Sequence, residues 1–144
     1  MWLYNDKEIS SIEDMPENTF GFIYEVEHIP TGLKYLGKKV LYFNRTLPPL
    51  KGQKRKRKVV KESDWKSYVG SQEEVKKLLK EGELLDFKRK ILTFVPTKKL
   101  LTYFENKLLF EKGVLEPGSK YLNSNIEGRY YKKDFDGYLQ DNES

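Results

Sequence analysis

The chain has no cysteine, a single histidine, and no aspartate or glutamate between His28 and Lys61. Each absence excludes a class of chemistry. Without cysteine there is no disulfide and no thiolate-ligated zinc, which fits a reducing compartment. With His28 as the only imidazole, zinc-hydrolase, His-Asn-His and Ser-His-Asp arrangements are excluded, because each places a histidine among specific partners. His28 itself, two residues before Pro30, reads as a solvated turn histidine. No apolar run approaches the roughly 20 residues of a membrane span. Residues 1–18 lack the cationic start and apolar middle of a secretory signal. The expectation is a soluble, cytoplasmic (intracellular) protein with no membrane partner, and 144 residues make one domain with one core.

What is present is positive charge, unevenly spread. Lys and Arg number 27 against 22 acids, a formal net charge of +5. The acid-free stretch holds Lys34, Lys38, Lys39, Arg45, Lys51, Lys54, Arg55, Lys56, Arg57, Lys58 and Lys61. Such one-sided charge attracts polyanions and neutralises phosphates in a salt-dependent way. Lys38, Lys51, Lys54, Arg55, Lys56, Arg57, Lys58 and Lys61 are therefore the expected nucleic-acid contacts. The last residues, 134–144, are acidic and predicted to fray.

The pattern of elements is compact. Residues 21–27 and 33–40 read as two strands around the turn Pro30-Thr31-Gly32. Residues 41–61, with Pro48-Pro49 and Gly52, carry no sustained period and read as a long basic loop. Ser71 and Glu74 form a capping box for a helix over 72–81, which Gly82 stops. A third strand covers 86–95. Thr97 caps a helix over 98–112 with Leu100, Leu101, Phe104 and Leu108 as its apolar stripe, ended by Gly113. The order β-β-α-β-α predicts a small α/β (α+β) sandwich around a three-stranded, mainly antiparallel sheet flanked by helices. Residues 1–19 form an N-terminal segment, 20–129 the domain, and 130–144 an acidic tail.

Candidate chemistry gathers in a few places. Tyr24 in Gly21-Phe22-Ile23-Tyr24 and Tyr35 in Tyr35-Leu36-Gly37-Lys38-Lys39 lie eleven residues apart on the predicted hairpin. Glu105 stands at the edge of the last helix's apolar stripe, between core and cleft. Asn123 falls in the polar turn Tyr121-Leu122-Asn123-Ser124-Asn125. Tyr68 and Trp65 read first as packing residues, with a secondary place in the site open to Tyr68 and base stacking open to Trp65. Asp86 with Glu105-Asn106-Lys107 imitates an acidic nuclease core, but residues two apart on a helix diverge.

Taken together, in this order and at this spacing, these pieces resemble the GIY-YIG nucleases, specifically the phage-type homing and homing-like endonucleases. The segment Ser63-Asp64-Trp65-Lys66-Ser67-Tyr68-Val69-Gly70-Ser71 and the strand Phe87-Lys88-Arg89-Lys90-Ile91-Leu92 belong to the likeness, which runs from about Phe20 to Arg129. Phe22 stands where the first motif has glycine. The resemblance implies hydrolysis of DNA phosphodiesters with one divalent metal, Mg²⁺ or Mn²⁺, held by Glu105. It also implies Tyr24 and Tyr35 in the reacting centre and Asn123 bracing the site. For a phage-encoded chain the compartment is the host cell. The family's arginine falls on Arg45 by its spacing of ten from Tyr35, while Arg55, Arg57 and Arg89 are alternatives and Lys39 is the nearest cation.

The chemistry is consistent with those assignments. Phosphodiester cleavage needs an activated water, stabilised nonbridging oxygens and relief for the leaving alkoxide. Cations beside Tyr35 would favour its phenolate and ease proton acceptance. One carboxylate suffices for a hard cation when phosphate and water complete its shell. Two other functions fit the residues: a noncatalytic basic nucleic-acid-binding module, and a nuclease for RNA or branched DNA. No stretch after Arg129 is long enough for a targeting domain, so specificity is expected from the basic loop, the N-terminal segment, self-association or a targeting partner protein.

Overall fold

The computed structural model describes residues 1–137, and at Arg45 the backbone alone; the expectation for the end of the acidic tail lies outside the described residues. A central strand, β3 (Gly21–His28), is buried on both faces over most of its length. It pairs antiparallel with β4 (Leu33–Val40) on one side and β7 (Phe87–Val95) on the other. A register shift between Ile23 and Tyr24 leaves one extra residue on β7, the geometry of a bulge.

The sheet has five strands, not the three expected. Residues read as an N-terminal segment supply the other two: β1 (Trp2–Tyr4) pairs parallel with β7, and β2 (Lys7–Ile9) folds back on β1, giving the order β2-β1-β7-β3-β4. Asn5 and Asp6 make the turn with φ of 48° and 66°, the left-handed pair of a tight hairpin. Three-residue strands are too short to show a period, which is why the alternation was not legible.

Residues 41–61 are not a loop throughout. They form an antiparallel ribbon of β5 (Tyr42–Leu47) and β6 (Arg57–Glu62), joined by residues 48–56. With no core behind either strand among the described residues, nothing imposes apolar alternation, and the pairing leaves no pattern to read.

Helix α1 (Glu73–Glu81) is capped by Gln72, whose side chain accepts from the Val75 N–H at 2.9 Å, rather than by the Ser71–Glu74 box. Helix α2 (Lys98–Glu111) starts at Thr97 as expected, its hydroxyl accepting from the Leu100 N–H at 3.2 Å. Its inward face is Leu101 and Leu109 with Phe104 and Leu108 partly covered, while Leu100 is exposed. This face packs with Ile23, Leu36, Val95, Val114 and Leu115 on one side of the sheet. The opposite side carries Trp2, Phe22, Tyr24, Val26, Trp65 and Ile91. A short hairpin of β8 (Asn125–Ile126) and β9 (Tyr130–Tyr131) follows α2. Among the described residues no helix is long and apolar enough to cross a membrane.

Two polar groups are buried within this frame. His28 is buried rather than solvated, its Nδ1 2.7 Å from the Thr31 hydroxyl and its ring against Phe87. Arg89 is 2% exposed and donates from one terminal nitrogen to the carbonyls of Lys66 and Tyr68, at 2.8 and 3.1 Å. Its guanidinium lies 4.7 Å from the Trp2 ring, and burial lowers its pKa to about 10.

Arg89 thus ties the Lys66–Tyr68 turn to the sheet. Arg89→Met leaves two carbonyls without donors and should cost about 3 kcal/mol. Arg89→Lys should recover only part of that, because a single ammonium lacks the planar fork. Urea midpoints at unchanged slope provide the measurement.

Candidate active site

Strand alternation sends Lys38 and Lys39 to opposite sides of β4, and the two have different partners. Lys38 lines a pocket of about 320 Å³ together with Tyr35, Gln72, Thr102, Glu105, Asn106, Asn123 and Glu127, at the outer edge of the sheet. Its ammonium is 3.5 Å from Glu105 Oε1 and donates to the Thr102 hydroxyl at 3.2 Å. Lys39 points the other way, is nearly buried, and forms an ion pair with Asp64 at 2.6 Å while lying 3.9 Å from the centre of the Tyr68 ring.

The pocket exists because the edge of β4 is only half covered. Residues 120–122 run along it: Lys34 donates to the Lys120 carbonyl at 2.9 Å and accepts from the Leu122 N–H at 2.6 Å. Asn123 then takes over with its side chain, accepting from the Leu36 N–H at 3.1 Å and donating to the Leu36 carbonyl at 2.8 Å. A carboxamide carries the same donor and acceptor as a peptide, so Asn123 finishes the pairing without extending the backbone. Beyond it the edge opens at Lys38.

Tyr35 lines this opening and the buried Tyr24 lies behind it, their rings 6.3 Å apart, with Tyr68 edge-on to Tyr24 at 5.9 Å. Two glycines admit them. A Cβ on Gly37 would lie 2.6 Å from the Tyr24 hydroxyl oxygen, and one on Gly70 would lie 3.1 Å from the Tyr35 ring, at a φ of +130°.

The electrostatics run against the phenolate expected from the nearby cations. Burial raises the Tyr24 pKa well above its ordinary value, with Tyr68 and Tyr35 adding to the effect. Burial and the Glu105 carboxylate raise Tyr35, while a hydrogen bond with Ser71 opposes them. Lys38 is taken up by Glu105 and Lys39 by Asp64, so neither stabilises a phenolate. Glu105 is itself raised by burial, Lys38 pulling it down and Glu127 adding to the rise.

Of the residues singled out from sequence, Tyr35, Lys38, Glu105 and Asn123 share the pocket, and Tyr24 lies directly behind Tyr35. Lys39 and Arg89 lie elsewhere, in the ion pair and the buried turn already described. Arg45 sits on β5 opposite Val59, with its side chain outside the described part of the structure. Lys51, Lys54, Arg55 and Lys56 lie in the connection between β5 and β6, and Arg57, Lys58 and Lys61 on β6, all exposed. No arginine lines the pocket among the described side chains.

Glu127, Asn106 and Gln72 escaped sequence reasoning. Glu127 occupies a left-handed position, φ 56°, in a turn where Gly128 donates to the Asn125 side chain, and it accepts from Asn106 Nδ2. The Asn125-Ile126-Glu127-Gly128 turn was the available signal. No cluster of three or more carboxylate or imidazole groups exists among the described residues. The pocket offers carboxylates, amides and hydroxyls, an oxygen-donor set that fits a hard divalent cation and not a soft one.

Among models of protein families, the one described as "Putative endonuclease segE, GIY-YIG domain" matches residues 2–126. No curated protein and no solved structure matches the chain.

Two outcomes follow from the tyrosine packing. Gly37→Ala should destabilise the fold by about 1–3 kcal/mol through overpacking, and by less in a Tyr24→Phe background, where the crowded hydroxyl is gone. Denaturation of the four proteins of that cycle measures the difference. The second outcome concerns alkaline pH. The folded pKa values lie above the unfolded value near 10. Their contribution is therefore complete below about pH 10 and is lost as pH rises from there toward the folded values. Tyr24→Phe should flatten that alkaline loss in a series of urea midpoints.

Proposed function

The chain belongs to the family of the segE-type GIY-YIG endonuclease domain, and on that premise we propose a divalent-metal-dependent enzyme that hydrolyses DNA phosphodiesters in the pocket beside β4. The homing-like, phage-type assignment rests on the same family likeness. One observation carries the site assignment: Tyr35 and Lys38 from β4, Glu105 from α2 and Asn123 from the segment after it, three separate stretches of sequence, line one pocket.

Glu105 is the residue that would hold Mg²⁺ or Mn²⁺, with Glu127 the next carboxylate in the same pocket. When bound, the ion supplies positive charge at the scissile phosphate. Lys38, released from Glu105, is placed to face a nonbridging oxygen. Arg45 remains the arginine of the reading by its spacing of ten from Tyr35. Lys39 is assigned a supporting part, holding Asp64 and the Tyr68 ring. The Tyr35 hydroxyl, neutral at physiological pH, orients water and takes its proton while passing its own through the exposed Ser71 hydroxyl to solvent, with Tyr24 fixing the ring from behind. Asn123 keeps Leu36, and with it the neighbouring Tyr35, in place.

Supercoiled, linear and branched DNA and RNA incubated with and without Mg²⁺ separate this reading from a noncatalytic module and from an RNA or branched-DNA nuclease. Glu105→Gln keeps the side-chain shape and removes the charge, so cleavage should fall by orders of magnitude while DNA affinity changes little. Near-normal single-turnover cleavage by this variant would remove Glu105 from the mechanism.

A further inference from the structure

The ribbon of β5 and β6 stands apart from the sheet and packs chiefly on itself. All six residues of β6 are exposed. An isolated two-stranded ribbon is marginal in water. This one nevertheless leaves Tyr42, Phe43, Val59 and Val60 open to solvent. Its root is firm: Ser63 donates to the Leu41 carbonyl from its N–H and to the Val40 carbonyl from its hydroxyl, both at 2.7 Å, and Trp65 Nε1 donates to Glu62 at 2.9 Å. A stiffly rooted arm with no cover from the described residues calls for an external partner.

Register assigns the two faces. Tyr42, Asn44 and Thr46 share one with their partners Glu62, Val60 and Lys58. Phe43 lies on the other, 5.1 Å from the Lys39 ammonium, so that face turns toward the Lys39–Asp64 side. The Asn44 face continues the alternation of Lys38, which lines the pocket with Glu105. It is also the more open one, with Val60 at 63% against 38% for Val59.

Charge, size and chemistry then choose the partner. The connection at the tip holds Lys51, Lys54, Arg55 and Lys56 without one acid, which selects a polyanion. A six-residue strand is about 20 Å long. The major groove of B-form DNA, about 12 Å wide, admits a two-stranded ribbon. The corresponding groove of A-form RNA is too deep and narrow for side chains to read. Asparagine pairs with the adenine edge, lysine with guanine, and threonine or valine methyls meet the thymine methyl.

We propose that the ribbon enters the major groove of duplex DNA beside the cleavage pocket, where Asn44, Thr46, Lys58 and Val60 read base edges and the basic tip holds phosphates. The inference rests on the nuclease reading, because it needs duplex DNA lying across the pocket. It assigns sequence preference to the ribbon and leaves the pocket indifferent to sequence.

The test uses the full chain carrying Glu105→Gln, so that binding is read without cleavage. Selection from a random duplex library should return a preference over a few base pairs. Replacing Asn44, Thr46 and Val60 with alanine should flatten that preference and leave the slope of log affinity against log salt unchanged. Replacing Lys54, Arg55 and Lys56 with alanine should weaken all sequences and flatten the slope by up to about 0.9 for each phosphate that is no longer neutralised. With the ribbon unaltered, 7-deazapurines in the preferred site should weaken binding about tenfold or more, since they delete major-groove acceptors. An unchanged preference in the triple-alanine protein, indifference to 7-deazapurines, or equal binding to duplex RNA would overturn the proposal. Cleavage by the unsubstituted chain, run in parallel, tests the nuclease reading separately: ribbon-dependent preference without cleavage sinks that reading alone.

Discussion

The pairing of residues 120–123 along the outer edge of β4 is the constraint on which the rest of the pocket depends. A free sheet edge exposes unpaired peptide groups and invites other strands. Here backbone covers the edge as far as Lys34, a side-chain amide covers it at Leu36, and cover stops at Lys38. Had the backbone continued in register, it would have filled the space into which Glu105 and Tyr35 face. The change from backbone to side chain at Asn123 both satisfies the strand and leaves room for a ligand. It also brings the turn with Glu127 against α2, where Asn106 holds it.

Behind that edge lies a dense aromatic layer in which Trp2, Phe22, Tyr24, Tyr35 and Tyr68 meet at centroid distances of 5.0 to 6.3 Å. Such packing fixes the hydroxyls of Tyr24 and Tyr35 in place, and the same burial keeps them protonated. Rigid placement and easy ionisation are therefore opposed at this site, and placement dominates. The neighbouring lysines divide along the same lines. Lys38 stays at the mouth against a carboxylate, and Lys39 is absorbed into the packing around Tyr68.

Much of this is legible in the amino-acid sequence. The long strands, the Thr97 cap and the helix after it carry periods and end signals strong enough to stand alone, and the tyrosines, Glu105 and Asn123 fell in order around them. What escaped has physical reasons. Trp2–Tyr4 and Lys7–Ile9 are too short for alternation to register, so two of five strands were missed. The β5–β6 ribbon has no buried face, so its pairing leaves no trace in hydrophobicity. Gln72 displaced Ser71 as a cap by a shift of one residue, within the ordinary fraying of helix ends. Arg89 read as an alternative for the family's arginine, because nothing local announces that Lys66 and Tyr68 carbonyls will surround it. Lys39 read as the cation nearest Tyr35, but Asp64, from a distant turn that no local pattern links to β4, takes it up in an ion pair at 2.6 Å.

The parallel pairing of Trp2 with Arg89 sets the order in which this molecule can be made. A chain leaving the ribosome exposes its first hairpin long before the strand that receives it exists, and loop closure over such a span delays folding. Until residue 89 has emerged, Trp2 has neither the guanidinium that covers its ring nor the sheet that buries it. β3 and β4 can pair early, but β3 keeps one open edge until β7 arrives. Nascent chains that end before β7 are thus the vulnerable species, with the apolar residues of β1 and one open edge of the central strand exposed together. The aromatic layer that later holds the tyrosines rigid is, during synthesis, the surface most in need of protection from aggregation.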